Sequence, residues 1–207
     1  MNEITIRLRE EKEKIPTGAS KFFGNPDIWE DFRWPYITEN GENYDLSFVC
    51  QINCKQAAAF DIAELLPKSG MLYFFYDLDE MPTVAYDKAV VLYFDGDTSM
   101  LHQMLLTDQD GNDIGFREMK IEFSATENNA SANCAGQSTH CLLGSLPPDS
   151  ENLTYSLKDR QILLKIGAID TNTVKLDFLG GGSLCWLIDR NKLKSKDFSD
   201  IDTRQIC

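Results

Sequence analysis

His140 and Cys141 are the residues whose types point most directly to chemistry, because an imidazole near a thiol can take its proton and leave a thiolate nucleophile. Adjacent residues in an extended segment face opposite sides, so His140 would need a cysteine from elsewhere, and Cys134 is the obvious one. These three residues are the catalytic candidates, for hydrolase-like chemistry with His140 as general base. The competing role is structural: His140 bonds locally and orders the turn before Gly144, while Cys141 packs as a small hydrophobe.

No metal or cofactor is expected. Cys50 and Cys54 are four apart on one strand, about 13 Å at strand rise, too far for two thiolates each about 2.3 Å from one zinc. The chain has two histidines and no C-x-x-C. Gly180-Gly181-Gly182-Ser183 has no following lysine and leads into a strand, so it is a tight turn rather than a phosphate cradle. A calcium loop counted from Asp108 has Asp113 where its glycine belongs and Met119 in place of the closing glutamate, so a polar turn between strands is expected.

Gln51 and Asn53 suggest binding. Amides on a buried strand are costly unless hydrogen-bonded. They are expected to satisfy loop backbone near Trp34-Pro35, or to form the polar floor of a ligand pocket lined by Trp34, Tyr73 and Trp186.

The elements that must hold these residues are mainly short strands with turn punctuation. Residues 4–9 alternate strictly. In 46–54, Val49, Gln51 and Asn53 point one way while Cys50, Ile52 and Cys54 point the other. Met71-Leu72-Tyr73-Phe74-Phe75-Tyr76 is an aromatic run suited to a buried strand, and further strands are expected over 90–94, 120–123, 162–166, 174–178 and 184–188. Helices are expected over 55–66, capped by Asn53, and over 98–106. Residues 126–139 and 147–152 are read as loops.

The chain echoes itself. A strand at 46–53 leads through a spacer to Gly70, Leu72 and Asp77, and one at 162–170 leads to Gly182, Leu184 and Asp189 at a single offset. Each half is strand, connection, glycine turn, buried strand and acidic stop. Regular βαβ alternation is missing, so a duplicated β-rich fold is expected rather than an α/β sheet, with two related halves (about 20–125 and 126–207) in one domain spanning 1–207.

Composition narrows the function. The 207 residues include 33 acidic and 20 basic side chains, a net charge of −13. Binding to nucleic acid or anionic lipid is disfavoured, since phosphate contacts replace counterions with Lys and Arg. No apolar stretch approaches the ~20 residues of a membrane span, and no signal-peptide pattern opens the sequence, so a cytoplasmic setting and reduced thiols are expected. Acidity concentrates in residues 77–127, with 12 acids against three bases. Asp95, Asp97, Asp108 and Asp110 mark an acidic face for a basic protein partner, whereas the plainer role of such charge is solubility.

An ordered series of segments resembles the YwqG-like family, a domain of unknown function. It comprises Ser20-Lys21-Phe22-Phe23-Gly24-Asn25-Pro26-Asp27, Trp34-Pro35, Gly41, residues 46–53 and 66–77, His140-Cys141-Leu142-Leu143-Gly144, Gly182-Ser183-Leu184 and Asp197-Phe198-Ser199. The chain departs from the family pattern at Lys165-Ile166-Gly167-Ala168-Ile169-Asp170, where Gln-Ile-Asp is expected in relatives, and at Phe23, where a second glycine is usual. The resemblance implies a β-rich α+β fold with two related halves and carries over no catalytic residues.

The expected function is therefore a non-enzymatic binding module with an acidic face for a basic protein, in the manner of immunity or regulatory proteins. The alternative is a small-molecule-binding protein or hydrolase-like enzyme using a pocket near His140. Monomer and homodimer, the latter through an exposed strand edge, both remain open.

Overall fold

The structure is a computed structural model that describes residues 3–82, 84–85, 88–125, 139–144 and 159–206. Eleven strands form one antiparallel sheet: β1 (Ile4–Glu10), β2 (Lys21–Phe22), β3 (Ser47–Asn53), β4 (Met71–Tyr76), β5 (Val84–Ala85), β6 (Ala89–Phe94), β7 (Met119–Ala125), β8 (His140–Leu142), β9 (Arg160–Gly167), β10 (Ser183–Asp189) and β11 (Ile201–Ile206). Their spatial order is β5-β11-β10-β9-β8-β1-β7-β2-β3-β4-β6. The ends of this sheet approach each other where β6 meets β11, so the sheet curls into a near-barrel around an apolar interior. With two short helices added, the fold is α+β and β-rich.

The period-two pattern explains which side chains fill that interior. Along β1, Ile4 and Ile6 are buried in it, while Arg7 and Arg9 face solvent. All six residues of β4 are buried because both of its faces are covered. Leu72, Phe74 and Tyr76 enter the interior. Met71, Tyr73 and Phe75 lie on the outer face, under Phe32, Leu101, Trp29 and Trp34. Each such apolar side chain removed from water contributes about 1.5–3 kcal/mol.

Two bulges alter the expected alternation. The pairing of β3 with β4 slips between Phe48 and Cys50, leaving Val49 as the extra residue, and that of β9 with β10 slips between Ile162 and Leu164, leaving Leu163. Val49 accordingly joins Cys50 and Ile52 in the interior rather than sharing the side of Gln51.

The helices are shorter than the sequence suggests. Asn53 does cap α1 (Cys54–Ala58), accepting from the backbone N–H of Lys55 and Gln56. Beyond Ala59 the chain continues in turns rather than helix to 66, with Glu64 at positive φ and the Asp61 carboxylate accepting from Leu66 N–H at 2.6 Å. The expected helix over 98–106 is a single 3₁₀ turn, Thr98–Met100. Leu101 is already extended, and His102–Gln103 pairs with Asp27–Ile28. The second helix, α2 (Arg190–Lys194), is capped by Asp189.

Outside the main sheet, hairpins form at Tyr36–Glu39/Glu42–Asp45 and at Ile169–Asp170/Lys175–Leu176. The expected strand over 174–178 is thus reduced to Lys175–Leu176. The glycine run is the tight turn expected: Gly180 and Gly181 have positive φ, and a Cβ on Gly182 would lie 2.5 Å from the Ile206 carbonyl oxygen. The loop expected over 147–152 lies outside the described residues, as does that over 126–139 apart from Thr139. No helix among the described residues is long and apolar enough to cross a membrane.

Candidate functional site

Gln51 lies at the centre of a buried polar cluster. It sits on the outer face of β3, directly across from Lys21 on β2 and Tyr73 on β4. Its amide nitrogen donates to the Ala19 carbonyl at 2.8 Å and to the Asp27 carboxylate at 2.6 Å, and its oxygen accepts from Asp27 N–H at 2.8 Å. The Asp27 carboxylate also takes Lys21 Nζ at 2.9 Å and Gly18 N–H at 2.8 Å. Tyr73 donates its hydroxyl to the Asp27 carbonyl, and burial, reinforced by the Asp27 charge, pushes its phenol pKa up.

Asn53 completes the binding of the same segment, donating to the Gly18 carbonyl at 2.6 Å. The two amides therefore satisfy backbone at 18–27 rather than near Trp34-Pro35. The cluster fastens the 16–28 segment to the sheet.

The expected pocket of Trp34, Tyr73 and Trp186 does not form. Tyr73 and Trp34 share the outer face, where Trp34 packs edge-on against Phe75 and donates its indole N–H to the Leu46 carbonyl at 2.9 Å. Trp186 is in the interior against Phe74 and Tyr76. Successive residues of β4 face opposite ways, so Tyr73 cannot meet what Phe74 meets. The Trp186 indole nitrogen has no hydrogen-bond partner among the described residues.

His140 and Cys141 also face opposite sides, as their adjacency requires. Cys141 is buried on the outer face, between Thr5 of β1 and Lys165 of β9. His140 sits opposite Ile6 and turns inward. Its Nδ1 accepts the Gly167 backbone N–H at 3.1 Å, which places the ring proton on Nε2. Burial lowers the His140 pKa to about 4, with the Lys165 ammonium adding to the effect, so the imidazole is neutral at pH 7. None of its hydrogen bonds joins it to a thiol or hydroxyl nucleophile among the described residues. Cys134 lies outside the described residues.

What His140 does line is a crevice of about 380 Å³ between β1 and the Ile169–Asp170/Lys175–Leu176 hairpin. Ile6, Leu8, Met119 and Ile169 form apolar walls, and Glu10 and Asp170 stand with Thr171 toward its polar rim. Across that rim, the Glu10 carboxylate accepts from the Thr173 hydroxyl at 2.8 Å, and hydroxyl bonds from Thr173 and Thr171 hold its pKa below the usual range. Glu10 and Ala168 have no local signature as lining residues, because the hairpin facing β1 is far away in the chain.

The four acidic-face candidates are all exposed and lie in two turns. Asp97 caps the 3₁₀ turn through Ser99 N–H at 2.9 Å, and bonds from Ser99 lower its pKa. Asp108 accepts from Asn112 Nδ2 and from the N–H groups of Asn112 and Asp110, which lowers its pKa too. That closed turn, sealed by the Thr107–Asp113 bridge, is the polar turn expected in place of a calcium loop. Asp95 precedes Asp97 at the end of β6, and Asp110 is at the tip of the hairpin that residues 104–116 form about the Thr107–Asp113 bridge. Near the hairpin base Leu105, Ile114 and Phe116 are 65%, 61% and 59% exposed. The ring of Phe116 packs against Phe23 at a tilt, with ring centroids 4.9 Å apart. Among the described residues no group of three His, Cys, Asp or Glu side chains is placed to hold a metal ion.

The described residues thus form a β-rich α+β fold whose near-barrel sheet carries a buried Lys21–Asp27–Gln51 cluster on its outer face. The chain belongs to the family described as domain of unknown function DUF1963, whose pattern matches residues 20–207, in agreement with the YwqG-like resemblance. No curated protein matches the chain.

Proposed function

We propose that the chain is a cytoplasmic, non-enzymatic binding module whose acidic surface engages a basic protein. The observation that carries this is the 104–116 hairpin, where exposed Leu105, Ile114 and Phe116 stand on the same short segment as Asp108 and Asp110. Large apolar side chains left in water beside carboxylates suit an interface with apolar anchors and a charged rim. The lowered pKa of Asp108 keeps that carboxylate ionised well below neutral pH. Low-salt affinity purification from the host, eluted with salt, identifies the partner. Association is then followed with a variant carrying Lys at 95, 97, 108 and 110. A slower on-rate with a flatter salt dependence is expected; unchanged association rules the reading out.

We also infer that the sheet was built by duplication. Four matches support this. The order β2-β3-β4-β6 corresponds to β8-β9-β10-β11, running outward from the central pair β7 and β1. The bulges at Val49 and Leu163 fall at matching places. Phe23 and Leu143, each following a short strand, have φ of 55° and 57° and donate their N–H to the bulged residues Val49 and Leu163. Ser20 Oγ accepts Asn53 N–H at 2.8 Å, and His140 Nδ1 accepts Gly167 N–H in the corresponding position. The two halves should therefore superpose over these strands in a crystal structure of the protein. A best superposition that breaks this residue correspondence would remove the inference.

A further inference from the structure

We propose that the crevice beside His140 is a binding site for a small uncharged molecule with an apolar body and a carbonyl oxygen at its inner end, such as an amide or ketone. This is a second site, independent of the acidic hairpin.

The donor is fixed by geometry. Nδ1 of His140 is occupied by the Gly167 N–H, so Nε2 carries the proton, and Nε2 has no hydrogen-bond partner among the described residues. His140 is only partly buried, and the space it lines is this crevice, so a ligand seated there meets the imidazole. An imidazole locked in this tautomer is a neutral donor, and a carbonyl oxygen satisfies it without bringing a charge into an apolar space.

The walls and rim set the rest of the ligand. Ile6, Leu8, Met119, Ala168 and Ile169 give the body apolar contact, and about 380 Å³ is within the range of small-molecule sites. The rim charges offset one another, Glu10 and Asp170 against Arg7 and Lys175, with Lys175 Nζ 3.8 Å from Asp170, so a carboxylate would gain no uncompensated cation there while losing its water against the apolar walls.

A comparison with the other end of the sheet explains why the space exists. Ser20 occupies the position matching His140, and its hydroxyl donates to Gln56 on α1 at 2.7 Å, so the helix after β3 closes that place. After β9 the chain enters the Ile169–Asp170/Lys175–Leu176 hairpin instead of a helix, and nothing equivalent to Gln56 reaches His140 among the described residues.

The test uses the full chain, hexanamide as probe, and hexanoate as its anionic counterpart of nearly the same shape. Binding is read from the ¹⁵N shift of His140 Nε2 and the methyl shifts of Ile6 and Ile169. Hexanamide should move these resonances saturably, and hexanoate should bind about tenfold more weakly or worse. His140→Asn keeps an acceptor for the Gly167 N–H and removes the Nε2 donor. It should weaken hexanamide about tenfold while the spectrum remains folded. Because the shifts are first read on the unaltered chain, a variant that fails to fold does not decide the matter. Unmoved His140 and wall resonances, hexanoate binding as tightly as hexanamide, or undiminished binding by folded His140→Asn would each overturn the proposal.

Discussion

Lys21 Nζ and the Asp27 carboxylate form an ion pair at 2.9 Å with both side chains wholly removed from solvent. A pair desolvated this far is stable only while each charge keeps its partners, and here they are supplied by Gln51, Gly18 and, at 3.7 Å from Nζ, Glu118. The two lie six positions apart in sequence, and the turn at Phe23 and Gly24, both at positive φ, folds one back onto the other.

Lys21→Met leaves the Asp27 charge buried without a cation and should cost about 3–5 kcal/mol in urea unfolding. Asp27→Asn should cost less, because Glu118 is 20% exposed and can still face the ammonium. The double variant should be more stable than the sum of the two losses by at least about 1 kcal/mol. Strict additivity would mean that the pair contributes nothing as a pair.

Gly70 and Gly41 separate two reasons for a glycine. Both have positive φ, 84° and 86°. A Cβ on Gly70 would lie 2.1 Å from the Phe94 carbonyl oxygen, whereas one on Gly41 meets nothing within 4 Å. Gly41→Ala should therefore cost only the backbone strain, about 1–2 kcal/mol. Gly70→Ala must also push β6 away from the start of β4 and should lose clearly more. Equal losses in thermal or urea unfolding would mean that the close approach relaxes freely.

Much of the sheet was legible because it rests on local signals. The alternation of residues 4–9 and the aromatic run 71–76 each state which faces are covered. The Asn40-Gly41 hairpin carries its own mark, a dipeptide suited to two successive positive φ values, but the polar residues around it show no alternation to set it off as a pair of strands. Other features have no local signature. The Val49 bulge depends on how β3 registers against β4, and α1 stops early because turns and the Asp61 carboxylate take over its hydrogen bonding. At the site, adjacency alone established that His140 and Cys141 diverge. Which of them turns inward depends on pairing with Ile6, a partner far away in sequence.

His140 should make stability depend on pH in a defined window. Its pKa is about 4 in the folded chain against 6.5 for an ordinary histidine. Between these values the unfolded chain holds a proton on the ring that the folded chain does not, so stability rises with pH through the window. The contribution is fully present above about pH 6.5 and is lost as pH falls toward about 4, for a total on the order of 3 kcal/mol. Carboxylates titrate at the lower end of the same range, so the comparison is with His140→Asn, which keeps them all. Urea midpoints at intervals from about pH 4.5 to about pH 7.5 should show the unaltered chain losing more stability than the variant as the solution is acidified. A constant separation between the two curves would mean that the folded ring accepts its proton as readily as the unfolded one. In that case Nδ1 would not be committed to Gly167, and the Nε2 donor assigned to the crevice would lose its geometric basis.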